Sequence, residues 1–216
     1  MKFPDNLQYE KYLLQKGIKY VAGVDEVGRG PLAGPMVVGA VILDLENILD
    51  LEISGEKSLY TQIRDSKKIS DKKRRKISMF LKGNAVAYSI SKVEPKEIDK
   101  HGLTKVTLAL FDRVVRNLKV TPEHIITDNI QIKTIARQNQ TNLVKGDQRS
   151  ISVSAASIVA KVFRDDIMIK FHEIYPQYGF AQHKGYGTKY HMTALNDYGY
   201  CEIHRKSFKP VKRLVT

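Results

Sequence analysis

One segment constrains this chain more than any other. The apolar run Tyr20-Val21-Ala22-Gly23-Val24 ends in two adjacent acids, Asp25-Glu26, and continues as Val27-Gly28-Arg29-Gly30-Pro31-Leu32-Ala33-Gly34-Pro35. The apolar part reads as a strand. A second, β-branched and nearly continuous apolar run, Met36 to Leu43, reads as a strand buried on both faces. The glycine- and proline-rich turn makes the two strands neighbours. Gly28-x-Gly30-x-x-Ala33 also fits a dinucleotide-binding fingerprint, but that fingerprint must open a helix. Pro35 and the run Val37-Val38-Gly39-Ala40-Val41-Ile42 read as strand instead. No Gly-Lys-Ser/Thr is present, which excludes a Walker phosphate loop.

The remaining elements follow from spacing. Residues 7–17 read as a short amphipathic helix with Tyr9, Tyr12, Leu13 and Lys16 on one face, and 44–69 as polar and irregular. Asp71 to Leu81 reads as a helix with Ser70 as N-cap and Gly83 as stop. Residues 85–92 alternate and read as a half-exposed strand. Val106, Leu110, Val114 and Leu118 mark a helix over 103–118. His124 to Asp128 and Asn142 to Lys145 read as short strands. Ser154 to Ile174 reads as a long helix, its first turns carrying the small residues Ala155, Ala156, Ser157 and Ala160. A last helix, Thr188 to Tyr198, has Thr188 as cap and Gly199 as stop; the tail from 202 reads as basic and mostly irregular. A strand pair followed by alternating units argues a mixed sheet covered by helices, α/β in class, with the late helices on or beside that sheet. No linker or repeat divides residues 1–216, so a single domain is expected.

Charge narrows the partners. Lys and Arg number 36 against 23 Asp and Glu, a formal net charge of +13, which favours a polyanion such as DNA, RNA or an acidic membrane surface. A generally basic protein is the bland alternative. The run Lys72-Lys73-Arg74-Arg75-Lys76 is either a solvated helix face or a nucleic-acid contact. Cys201 is the single cysteine, so no intrachain disulfide is possible and a reducing, cytoplasmic setting is expected. The longest uncharged stretch, Gly30 to Leu43, is too short for a membrane span. His183, His191 and His204 are scattered and lack zinc spacing with any cysteine.

Acids stand at three expected strand ends: Asp25 with Glu26, Asp128, and Asp147. Each alone could cap a strand or accept turn amides. Gathered together they would repel strongly unless cations neutralise them, and two divalent ions there could clamp both oxygens of a phosphodiester displacement. Neighbours on a strand point to opposite faces, so Asp25 and Glu26 share metals only if the strand ends or kinks there. Tyr186, between Gly185 and Gly187 and beside Lys184, suits stacking on a sugar or base, or packing beneath a loop.

These residues resemble the bacterial ribonuclease HII family along most of the chain. Val24 to Pro35 is similar to its opening motif, and Asp65-Ser66-Lys67-Lys68-Ile69-Ser70 to its Asp-Ser-Lys-Lys element. Lys145-Gly146-Asp147 followed by Ser154 through Asp165 is similar to its helix signature. His183 to Thr188 and His204 to Phe208 resemble its late motifs. The family usually has glycine where Asn129 stands, and residues 98–103 also depart from its pattern. The resemblance implies a ribonuclease H-like fold with residues 175–216 as a helical C-terminal extension. It implies Asp25, Glu26, Asp128 and Asp147 as catalytic acids and ligands of two Mg²⁺ or Mn²⁺ ions. It implies Gly28, Arg29, Gly30, Lys67 and Tyr186 as substrate-binding residues. The implied substrates are RNA–DNA hybrids and duplex DNA containing ribonucleotides, cut on the 5′ side to leave 3′-hydroxyl and 5′-phosphate ends. A monomer is expected; protein partners such as a replication clamp are left open. Another nuclease of the same fold class, such as a junction resolvase, is the alternative, and a basic binding module without catalysis a third reading.

Overall fold

A computed structural model describes residues 5–63 and 69–215. Five strands form one mixed sheet in the order β3-β2-β1-β4-β5: β1 Val21–Val27, β2 Met36–Ile42, β3 Ala87–Val93, β4 His124–Asp128 and β5 Gln140–Leu143. The first three pair antiparallel; β1–β4 and β4–β5 pair parallel. Every residue of β2 is buried, as its continuous apolar run requires of a strand covered on both faces.

One face of the sheet carries the long helix α7 (Ile151–Ile174), with α1 (Gln8–Gln15), α2 (Leu45–Ser54) and α3 (Asp71–Asn84). The other carries α5 (Leu103–Arg116) and α4 (Pro95–His101). The first turns of α7 lie almost on the sheet backbone. A Cβ at Gly23 would stand 1.9 Å from the carbonyl carbon of Ser152, and one at Gly39 2.7 Å from the carbonyl oxygen of Ala156. Glycine on the strands and Ser152, Ala156 and Ala160 on the helix are what this approach demands. Helix α7 starts three residues earlier than the sequence pattern predicts, because Ser150 caps it by accepting from the Val153 N–H at 3.2 Å. Buried Glu10 of α1 takes the Ser150 hydroxyl and the Ser152 N–H at the same helix start.

Other expectations are corrected. Segment 44–69 is not irregular throughout: Asp44 caps α2 by accepting from Asn47 N at 3.0 Å, and Gly55 ends it at φ 71°. Helix α3 runs through Gly83 to Asn84. In α1, Tyr12 is exposed, whereas Glu10 and Leu13 are buried. The C-terminal helices α8 (Phe180–His183), α9 (Lys189–Tyr198) and α10 (Lys209–Lys212) do not lie on the sheet. They gather around their own apolar cluster of Tyr178, Phe180, Leu195, Ile203 and Val211, which also takes Leu32, Ala33 and Met168. No helix among the described residues is long and apolar enough to cross a membrane.

Candidate active site

The parallel pairing of β1 and β4 sets the register of the site. Val24 lies opposite Thr127, so the next residues, Asp25 and Asp128, finish side by side on adjacent strands. Asp25 shares the α7 face of β1 with Gly23, is 5% exposed, and bonds to Ser157 of α7. Burial pushes its carboxyl well above the usual range, and the charges of Glu26, Asp128 and Asp147 add to the rise. Glu26 is pushed to about 7, chiefly by burial; Asp128 adds, while the Arg29 guanidinium 3.7 Å away opposes. One Glu26 carboxylate oxygen, Oε2, is buried with no hydrogen-bond partner among the described residues.

Asp128 closes β4 and accepts from Gly146 N at 2.9 Å. Asn129 sits at φ 54°, the left-handed region that glycine fills most easily and asparagine tolerates. The exchange of glycine for asparagine therefore keeps the backbone path, and the Asn129 N–H closes onto Leu143 O at 3.0 Å. Asp147 is not at a strand end. After β5 the chain turns through Lys145 at φ 58° into the short helix α6 (Gly146–Arg149), which holds Asp147 at 3% exposure. Gly146 packs on the end of β4, where a Cβ would stand 3.0 Å from the Thr127 carbonyl oxygen.

Strand β1 runs on to Val27 without ending at the two acids, yet the Asp128 charge acts on both Asp25 and Glu26, and the Glu26 charge on Asp25, so both carboxyls belong to one cluster. No three His, Cys, Asp or Glu side chains among the described residues close into a metal-holding group. The donor set nonetheless fits a hard divalent cation: oxygen ligands only, mutually repelling, one of them buried and unpartnered. The carboxylates are gathered by the fold but not drawn onto one point.

Beside them stands the glycine–arginine turn, held in a way the sequence does not announce. Arg205 is completely buried, and its four hydrogen bonds go to the carbonyls of Gly28, Arg29 and Gly34, at 2.6–3.1 Å. Arg164, also completely buried, donates to Pro35 O at 2.9 Å and Ala33 O at 3.2 Å. Gly28 has φ 90°, and a Cβ there would lie 2.1 Å from Arg164 Nε. Gly30, by contrast, faces open space. The loop bearing Tyr186 is sewn to this turn: Leu32 N donates to Gly185 O at 2.8 Å, and Arg205 N to Leu32 O at 2.8 Å. Tyr186 is 44% exposed rather than packed beneath its loop, with the Arg164 guanidinium 6.0 Å from its ring centre. Lys67 lies outside the described residues. The basic run of α3 divides: Arg74 is buried and donates to Ile69 O at 2.8 Å, and Arg75 pairs with Asp71 and Asp166. Ser157, Arg164 and Arg205 are not legible as site residues. Their only signal is their place within the quoted motifs.

The family model for Ribonuclease HII matches residues 22–211. A ribonuclease HII from Acholeplasma laidlawii (strain PG-8A) is 45% identical over 212 residues, covering 98% of each chain. Among solved structures, ribonuclease H2 from Pyrococcus horikoshii OT3 superposes with TM-score 0.74 at 29% identity, over 90% of this chain and 96% of that one. Bst-RNase HIII in complex with Mn²⁺ shares the fold at TM-score 0.65 and 19% identity, over 91% of this chain and 69% of that one. With a family match spanning nearly the whole chain, and a fold that agrees with it, this protein belongs to the ribonuclease HII family and is a type 2 ribonuclease H.

Proposed function

We propose that this enzyme cuts the RNA strand of RNA–DNA hybrids and the 5′ side of ribonucleotides embedded in duplex DNA, leaving 3′-hydroxyl and 5′-phosphate ends. The observation that carries this reading is the junction of a repelling carboxylate cluster with a backbone turn fixed by two buried arginines. Asp25, Glu26, Asp128 and Asp147 would hold two Mg²⁺ or Mn²⁺ ions, as the Mn²⁺ complex of the HIII relative supports. When bound, such ions supply activation of water and neutralisation of charge on the departing 3′ oxygen. Ser157 orients Asp25, and Gly146 N–H fixes the rotamer of Asp128. The raised carboxyls of Asp25 and Glu26 hold protons more readily than usual without cations and release them on loading.

Recognition falls to the turn. Arg205 occupies the carbonyls of Gly28 and Arg29, so the N–H groups of Gly28, Arg29 and Gly30 are what remains to meet a sugar. The 2′-hydroxyl is the group that separates RNA from DNA there. Open space at Gly30 lets the sugar come close, and exposed Tyr186 stacks on the adjoining deoxyribose. Lys67 would contact phosphate. The single cysteine suits a cytoplasmic enzyme, and a monomer suffices for every group named. The test is a DNA duplex bearing one ribonucleotide, with and without Mg²⁺ or Mn²⁺, the cut mapped to the nucleotide and a four-way junction run alongside. A metal-dependent cut 5′ to the ribonucleotide is expected. Junction cleavage with the ribonucleotide untouched would overturn the reading.

A further inference from the structure

Three histidines that are far apart in sequence meet beneath the Tyr186 loop. The rings of His183 and His191 stack at 4.6 Å, and His191 Nε2 meets His204 Nε2 at 3.0 Å. Of those two nitrogens one must donate and the other accept, and the outer contacts decide which. His204 Nδ1 faces the Cys201 backbone N–H at 2.9 Å and its sulfur at 3.1 Å, so it accepts and the proton sits on Nε2. His191 Nε2 therefore accepts, and its Nδ1–H donates to the Tyr186 carbonyl at 3.0 Å. His183 repeats the device: Nδ1 accepts from Gly185 N at 3.1 Å, and Nε2–H donates to Tyr178 O at 2.6 Å. The loop is thus gripped at Gly185 N–H and at Tyr186 C=O. His191 and His204 are completely or almost completely buried, whereas the Tyr186 ring above them is open. Burial pushes both histidines down to about 4, so both stay neutral at pH 7, as the hydrogen-bond chain requires.

We propose that His191, locked in one tautomer by His204, is a positioning residue that fixes the Tyr186 backbone and with it the approach of the tyrosine ring to the sugar. The inference rests on the reading that Tyr186 stacks on substrate. Nothing else in the site requires two buried, oppositely protonated imidazoles in series. His191→Phe keeps the ring volume and removes both hydrogen bonds. His191→Asn keeps an amide donor near the Nδ1 position.

The experiment measures kcat and KM on a duplex with one ribonucleotide for H191F, H191N, Y186A and the H191F/Y186A double variant, with affinity for plain DNA beside them. We expect H191F to lower kcat about tenfold, the worth of roughly one aligned hydrogen bond. Plain-DNA affinity should hold, H191N should recover most of the rate, and H191F should add nothing in the Y186A background. Full activity of H191F beside an impaired Y186A overturns this inference alone. Full activity of Y186A overturns the stacking reading and this inference with it. Equal losses from H191F with and without Tyr186 also overturn it. Nitrogen NMR of the unaltered protein at neutral pH gives a second arm that needs no variant to fold. His191 protonated at Nδ1 and His204 at Nε2 is expected, and the reverse assignment overturns the proposal.

Discussion

Two regions sit side by side at one end of the sheet and are built on opposite terms. In the turn 28–34 and the Tyr186 loop, arginine forks take the carbonyls of Gly28, Arg29, Ala33 and Gly34, and histidines and backbone amides hold the loop. The carboxylate cluster is left in conflict: Asp25 and Glu26 are raised by burial and by neighbouring negative charge, and a buried Glu26 oxygen lacks a partner among the described residues. The chemical centre is complete only with what it binds, as befits a divalent-metal-dependent family. On the function proposed above, rigidity stands where selectivity would be needed and unmet charge where cations would be attracted.

The sharpest way to break this comparison is Asp25→Asn. Removing one charge should cost roughly a thousandfold in cleavage, since several kcal/mol of transition-state stabilisation pass through this group. It should leave the melting temperature equal or higher, because repulsion is relieved, and hybrid binding no weaker. Near-normal turnover in saturating Mg²⁺, or a marked loss of stability, would show that the acids are structural.

Arg205→Met makes the converse demand. It strips hydrogen bonds from the buried carbonyls of Gly28 and Gly34 and from the half-buried one of Arg29, so a loss of about 3–5 kcal/mol in denaturant unfolding is expected, with cleavage falling only as the turn loosens. A fully stable variant would remove the claim that the turn is held from the C-terminal side.

Acid should test the histidines next. His191 and His204 have folded values lowered to about 4 against an ordinary 6.5, and the titratable groups packed around them are His183, Tyr178 and Cys201. Below the ordinary value the unfolded chain takes up protons that the folded chain refuses. The stabilisation is therefore complete above pH 6.5 and is lost as pH falls toward 4, on the order of 3 kcal/mol for the coupled pair. H191F should flatten that part of the stability profile, and an unchanged slope would contradict the buried, neutral chain.

The smallest effect on stability belongs to Gly30→Ala. Its Cβ meets nothing within 4 Å, so unfolding should shift by less than about 0.5 kcal/mol while ribonucleotide cleavage drops. Gly28→Ala, aimed at Arg164 from a left-handed backbone, should do the reverse and unfold first. Equal behaviour of the two glycines would erase the distinction between the turn's held side and its open side.

What the sequence made legible follows the range of the forces involved. Strand β4, His124–Asp128, is read to the residue because its apolar run and closing acid are local facts, and the caps at Ser70 and Thr188 are equally local. Helix α4 leaves no such mark although Pro95 stands at its first turn, since seven residues give little periodicity. The pattern puts Asp147 at a strand end, because a four-residue helix such as α6 leaves no periodicity of its own. The four acids were nameable from motifs. That Arg164, Arg205, His191 and His204 converge on one turn and one loop is a property of the path between elements, and no spacing along the chain encodes it.

Arg205 also sets a timetable. The turn it clasps is made first, and the clasp arrives 177 residues after Gly28. A nascent or truncated chain that stops short of it can carry all four acids and still present an unfastened turn. Fastening of the turn therefore waits on Arg205, well after the acids that neighbour it have been made.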